Sequence, residues 1–283
     1  MALHAAVVLF GFAALFGKWL ALSPTLIVLG RTGIAAIALA LIRPRVQDFR
    51  RPMNLRLLAT GAVLALHWVA FFAAIQLSSV AMALLGFAAF PLFTLLLERV
   101  VLRTRWKRRD AITSALVVAG LALVVPHWSW ADASVRGLCL GVLAALTFAL
   151  LAVMNRRHAG TRSALEIALW QNVGAALCLL PFAWMELAGA SISGADWMLL
   201  IALGLFCTAL AHTLFITSLR VLTAHVASVV AALEPVYGMV LAWALLSEVP
   251  GPRMWAGAAL LVLAAISVAR APSAHLRTAV PLP

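Results

Sequence analysis

The segment AALEPVYGM, residues 231–239, sets a carboxylate, a proline and the chain's one tyrosine inside a long apolar run. Glu234 is residue 13 of the 25-residue run 222–246. A charged carboxylate at that depth in a bilayer costs at least about 2.5 kcal/mol, and such residues face a cavity or a partner. Pro235 removes a backbone donor and disturbs the preceding turn, freeing carbonyls able to bind an ammonium group. At helical spacing Ala227, Ala231, Glu234, Tyr237, Gly238 and Leu241 share one stripe. Glu234 is therefore a candidate to pair with a substrate amine or to carry a proton; the alternative is a hydrogen-bonded structural carboxyl.

His67 and Trp68 form a second group, with Phe71 on the same helical face as His67; His212 shares a face with Thr208 and Phe215. Histidine among aromatic rings suits a cavity for an amino acid with a bulky side chain, although a buried histidine also serves as an ordinary core residue. The adjacent amides Gln171 and Asn172 point to hydrogen bonds between helices. Arg31, six residues inside Thr25, is expected to anchor its helix by snorkelling or by reaching a carboxylate, with substrate binding as the alternative. Lys18 and Trp19 read as interface anchors. Gly137, Gly141, Ala145 and Ala149 recur every four residues and read as a packing seam. Cys139, Cys178 and Cys207 lie in apolar runs without metal-ligand spacing, so neither a metal nor a cofactor is expected. With no P-loop pattern and no His-Glu-x-x-His, the sequence speaks against ATP hydrolysis and against a membrane-embedded enzyme.

The elements that hold these residues must be membrane helices. The chain is 65% hydrophobic and 11% charged, against about a quarter charged in soluble domains. Runs long enough to cross a bilayer fall at roughly 2–22, 25–42, 57–77, 80–101, 110–126, 136–154, 164–184, 197–219, 222–246 and 254–269. The expected class is all-α, a polytopic membrane protein of ten transmembrane helices. The first run lacks a basic leader and reads as a retained span. Of the 21 Lys and Arg residues, 17 fall in one set of gaps, two (Arg136 and Arg253) in the other, and Lys18 and Arg31 within spans. Positive-inside bias then places both termini in the cytoplasm. The basic stretches RPRVQDFRRPMNLR and RTRWKRR fit topology and anionic lipid better than nucleic acid.

Shifting residues 57–121 by 144 positions brings Phe71 onto Phe215, Pro91 onto Pro235 and Phe93 onto Tyr237, with His67 one short of His212. A repeat of five spans follows, residues 1–130 and 131–283. Five is odd, so the second copy is inverted, and Pro91 and Pro235 interrupt the spans nearest the pseudo-two-fold axis, where transporters of this kind bind substrate.

The Arg within LGRTGIAAIALAL, the pair SSVAMALLGFAAFP and LTAHVASVVAALEP, and the closing SEVPGPRMWAGAALLVLAA resemble the drug/metabolite transporter superfamily, specifically its ten-span EamA-type members. Within it the chain looks most like the YddG-type exporters of aromatic and related amino acids. One departure is that Glu248 ends span nine as in the family, whereas Glu98 falls earlier relative to its proline. The resemblance implies a bacterial inner-membrane secondary transporter working by alternating access around a cavity lined by spans such as one, three, four, six, eight and nine. It also implies outward movement of small amphipathic metabolites, with export of drugs or cationic toxins as the alternative. The expected substrate-binding set is Glu234, Tyr237, His67, Trp68, Phe71, His212, Phe215, Pro91 and Pro235. Proton coupling through Glu234 stands beside simple facilitated diffusion, and the sequence leaves the oligomeric state open.

Overall fold

A chain in lipid must satisfy its own backbone hydrogen bonds, which leaves helices as the way to cross. The computed structural model describes residues 1–46, 55–102, 108–124 and 129–269, and all regular structure among them is helical. Pro126 and most of the two basic stretches lie outside the described residues, as does the chain from Arg270 onward. The first span is α1 (Ala2–Ala13) followed by the single turn α2 (Phe16–Trp19); α3 (Pro24–Val46) and α4 (Leu55–Leu77) come next. Span four is α5 (Val80–Phe87) and α6 (Phe90–Leu102), then α7 (Arg108–Val124), α8 (Ala133–His158) and α9 (Ala164–Leu187). Span eight joins α10 (Gly194–Gly204) to α11 (Ala211–Ser218) through a π-helical stretch, Leu205–Leu210. Span nine is α12 (Ala224–Ala231) and α13 (Glu234–Leu246), and α14 (Pro252–Ala269) is last.

Among the described residues, eight helical stretches are long and apolar enough to cross a membrane, and two shorter apolar helices, Ala111–Val124 and Pro252–Ala264, lie at the positions of spans five and ten. Large apolar side chains such as Phe182, Trp184 and Met185 face outward, a surface suited to lipid and not to water. The protein is a multi-pass, all-helical membrane protein.

Spans four and nine break where the sequence places proline. Ala88–Ala89 separates α5 from α6, and Ala232–Leu233 separates α12 from α13. Each proline sits at the second residue of the new helix, where its missing N–H is least costly. Its ring denies a donor to the carbonyl four residues back, Phe87 or Ala231. The N-caps match as well: Ser79 Oγ accepts from Met82 N at 3.1 Å, and Thr223 Oγ1 accepts from Val226 N at 3.1 Å. The expected stripe from Ala227 to Leu241 is therefore not one continuous face, because the turn at Ala232–Leu233 interrupts it.

The bundle packs on small residues. A Cβ at Gly61 on α4 would lie 2.5 Å from the backbone nitrogen of Ala175 on α9, so the two backbones touch. The seam on α8 is real: a Cβ at Gly141 would lie 2.5 Å from the Ala83 carbonyl, and one at Gly137 3.2 Å from that of Ala74. α4 lies against α8 and α9, α3 against α9, α1 against α11, α12 and α13, and α7 against α14. At one end of the bundle Glu248 accepts from Val80 N (3.0 Å), Lys18 donates to the Ser78 carbonyl (3.1 Å) and Gln76 to that of Leu22 (2.8 Å). At the other end Arg156 Nη1 donates to the Leu219 carbonyl at 2.6 Å. The polar groups between the two ends form the candidate site.

Candidate functional site

Six of the ten spans meet around a small cavity midway through the bundle. α4 contributes His67, Trp68 and Phe71, α1 contributes Phe10 and Ala13, and α5 and α8 contribute Phe87 and Phe148. Arg31 from α3 and Glu234 from α13 are its charged members. Some 20 Å³ is open to the centre of a water-sized sphere, room for about one water.

The walls are aromatic. The His67 ring lies 4.8 Å from the Phe148 ring at 26° and 6.2 Å from the Phe71 ring at 24°. Phe87, Phe90, Phe148, Phe215 and Phe10 continue the cluster, with centroids 4.9 to 6.0 Å apart for neighbouring pairs. His67 Nδ1 is 2.8 Å from the Ala144 carbonyl. A carbonyl only accepts, so Nδ1 carries the hydrogen, and in the neutral ring Nε2 is an acceptor.

Arg31 is 1% exposed. It neither snorkels nor reaches a carboxylate, which corrects the anchoring expected from its position. Nε donates to Thr208 Oγ1 at 2.9 Å and Nη2 to the Cys207 carbonyl at 3.1 Å. Both acceptors belong to the π-helical stretch, whose widened turn shows in the bond from Thr208 Oγ1 to the Leu203 carbonyl five residues back, 2.7 Å. The guanidinium carbon lies 4.0 Å from the centre of the Trp68 ring, within cation–π range.

Glu234 opens α13 and is 3% exposed. Its Oε2 is buried and has no hydrogen-bond partner among the described residues. It shares the cavity with Arg31, and the two interact electrostatically without forming an ion pair. Leaving a buried polar atom unpaired costs about 1–3 kcal/mol, more for a charged one, so this carboxyl is poised to take a partner.

His212 and Phe215 stand behind the wall. The Trp68 and His212 rings meet edge to face at 5.9 Å, and Phe215 packs on Phe10 and Phe148. His212 Nε2 is 3.0 Å from Gln171 Oε1. The Gln171 amide donates to Thr60 Oγ1 (2.8 Å) and Asn155 Oδ1 (2.7 Å), a network that ties α4, α8, α9 and α11 together. Asn172 instead donates to the Ala168 carbonyl in its own helix, 2.8 Å. Pro91, Pro235 and Tyr237 do not line the cavity; Tyr237 packs beside Gly11, where a Cβ would lie 3.2 Å from the tyrosine's own. Of the expected set, Glu234, His67, Trp68 and Phe71 converge. Arg31, Phe10, Phe87 and Phe148 join them; a phenylalanine in an apolar run carries no signal of its own, whereas the arginine in span two does.

Among the described residues, no cluster of His, Cys, Asp or Glu could hold a metal ion.

The model of the EamA-like transporter family matches residues 1–125 and again 135–270. The pseudopaline exporter CntI of Pseudomonas aeruginosa (strain UCBPP-PA14) is 28% identical over 218 residues, covering 76% of this chain and 74% of that protein. The uncharacterized transporter YxxF of Bacillus subtilis (strain 168) is 26% identical over 190 residues, 66% of this chain and 60% of its own. A solved crystal structure at 20% identity superposes with a TM-score of 0.71 over 95% of each chain, which shows a shared fold.

Proposed function

Since the chain belongs to the EamA-like transporter family, we propose that it is a secondary transporter of the bacterial inner membrane that exports small amphipathic metabolites, amino acids including aromatic ones foremost. The observation that carries this reading is the mid-bundle cavity. It is walled by aromatic rings and holds a carboxyl, Glu234, with an unpaired oxygen. Rings offer apolar and cation–π surface to a side chain or an ammonium group. Glu234, His67, Trp68 and Phe71 contact substrate in this proposal, with His212 and Phe215 supporting the wall. Pro91, Pro235 and Tyr237 act through the helix breaks.

Alternating access needs two comparable halves. The two matches of the family model support a division near residue 130. Exchanging the first five spans for the last five turns the α1–α11 contact into α4–α8 and the α1–α13 contact into α6–α8. The α3–α9 and α7–α14 contacts map onto themselves. That pairing supports an inverted repeat about an axis through the cavity; the excess of Lys and Arg in one set of gaps supports cytoplasmic termini. Outward direction is supported by the exporter name of one relative. The unpaired carboxyl also favours a second reading, export of organic cations, in which Glu234 alone meets the charge.

The test is counterflow in proteoliposomes with a panel of labelled amino acids and organic cations, with a pH gradient imposed and then collapsed. Saturable movement of amino acids supports the proposal; movement of cations alone replaces it with the second reading. Proton coupling through Glu234 predicts that Glu234→Gln abolishes the response to the gradient, and an undiminished response would remove that part.

A further inference from the structure

We infer that Arg31 is the carboxylate-binding residue of this cavity, so that the transported solute bears a carboxylate for Arg31 and an ammonium for Glu234. The inference rests on the central cavity being the transport site and narrows what that site accepts.

A guanidinium has five N–H donors. Thr208 Oγ1 and the Cys207 carbonyl take two of them, both on the side of span eight. Three remain for the cavity that Arg31 lines. Both partners are neutral, and the Trp68 ring covers one face of the cation without supplying a formal charge. Arg31 is thus fixed in position, 1% exposed, and has no anion in contact among the described residues. A buried cation in this condition gains most from a carboxylate, whose two oxygens match the guanidinium fork.

Glu234 presents the complementary deficit. Its Oε2 is buried without a hydrogen-bond donor among the described residues, and an ammonium group supplies three. The two residues face one cavity without meeting, so a solute with both charges satisfies each at once. A solute with only a positive charge satisfies Glu234 but brings a second cation toward Arg31. A solute with only a carboxylate leaves Glu234 unpaired. The structure therefore discriminates by penalty as well as by attraction. The remaining wall, Phe10, Phe71, Phe87 and Phe148, receives the apolar part of the solute. With room for about one water, the cavity must widen to admit it, and the breaks at Ala88–Ala89 and Ala232–Leu233 adjoin two of its walls.

The experiment uses the full-length protein in nanodiscs and in proteoliposomes. Labelled standard amino acids are screened for binding and counterflow. The tightest binder is then competed with itself, with the amine lacking its carboxylate and with the acid lacking its amine. For phenylalanine these are phenethylamine and 3-phenylpropionate. The expected result is that each truncated competitor is at least about 30-fold weaker, the lower end of the effect of removing one partner of a buried charge pair. Arg31→Gln should bring a similar loss for the amino acid while strengthening competition by the amine, which no longer meets a second cation, and Arg31→Lys should restore part of the amino-acid affinity. Competition by the amine as strong as that by the amino acid would overturn the inference yet leave the transport reading standing. Amino acids that bind with the expected competitor pattern but are not translocated would sustain the inference and sink the transport reading. If no amino acid binds, both fall. The competitor series on the unmodified protein decides the matter even if both variants misfold.

Discussion

Two buried polar regions lie within one side chain of each other and behave in opposite ways. In the first, Thr60, Asn155, Gln171 and His212 join four helices, and Gln171 both accepts and donates. In the second, Arg31 and Glu234 share a cavity, and the carboxyl keeps an oxygen without a partner. Trp68 stands between them, with Arg31 over its face and His212 at its edge. Depth and polarity alone do not separate the two, since all of these residues are buried. Among the described residues each region keeps one unpaired buried atom, His212 Nδ1 in the first and Glu234 Oε2 in the second; what separates them is that the first ties neighbouring helices together and Glu234 lines the cavity, where a solute can reach it.

The comparison can be broken most directly at its frame. Gln171→Leu takes partners from groups on α4, α8 and α11 at once. A stability loss of about 2–4 kcal/mol is expected, read as a lower midpoint in thermal unfolding followed by size-exclusion fluorescence. A smaller effect is expected at the cavity, where Glu234→Gln should slow amino-acid counterflow at least tenfold, about 1.4 kcal/mol. The same variant should unfold at the parent temperature or above, because no hydrogen bond is lost. Should Gln171→Leu and Glu234→Gln destabilise the fold equally, the distinction between frame and site would not survive.

Thr208→Val sharpens the boundary. It removes the acceptor of Arg31 Nε at a cost of about 1 kcal/mol, and should weaken amino-acid binding severalfold while the unfolding midpoint moves little. The smallest effect is expected for Glu248→Gln, far from both regions. It weakens a charge-assisted cap on α5, worth about 0.5–1 kcal/mol, and should change the rate of counterflow more than the affinity. An affinity change as large as that of Thr208→Val would place the end of span nine within the site.

Much of the fold could be read from the chain, because the rules of lipid are strict. Apolar runs of the right length, and prolines that mark the breaks in spans four and nine, needed no tertiary knowledge. The site was harder. Glu234 announced itself by being a carboxyl at mid-depth, and His67, Trp68 and Phe71 by sharing a face. Arg31 was visible, read as an anchor with substrate binding as the alternative, but its acceptors could not be foreseen, since Cys207 and Thr208 lie more than 170 residues away on a stretch whose distortion no local pattern reveals. The stripe through Tyr237 was extrapolated across a turn that reorients everything beyond it. Phe10, Phe87 and Phe148 were invisible for a simpler reason, that lipid and cavity select the same side chain.

The π-helical stretch also settles an arithmetic oddity in the proposed repeat. Gly61 and Gly204 hold matching places, a Cβ at the first meeting Ala175 of α9 and one at the second Ile34 of α3; Gly61 and Phe71 are ten residues apart, whereas Gly204 and Phe215 are eleven apart. The surplus residue falls in the interval that contains Leu205–Leu210, and the wide turn absorbs it; an ordinary helix would swing everything downstream, His212 included, by about 100°. The two copies are thus unequal at the spot where the guanidinium is cradled. A chimaera built from two copies of residues 1–130 would inherit the arginine twice and its cradle not at all.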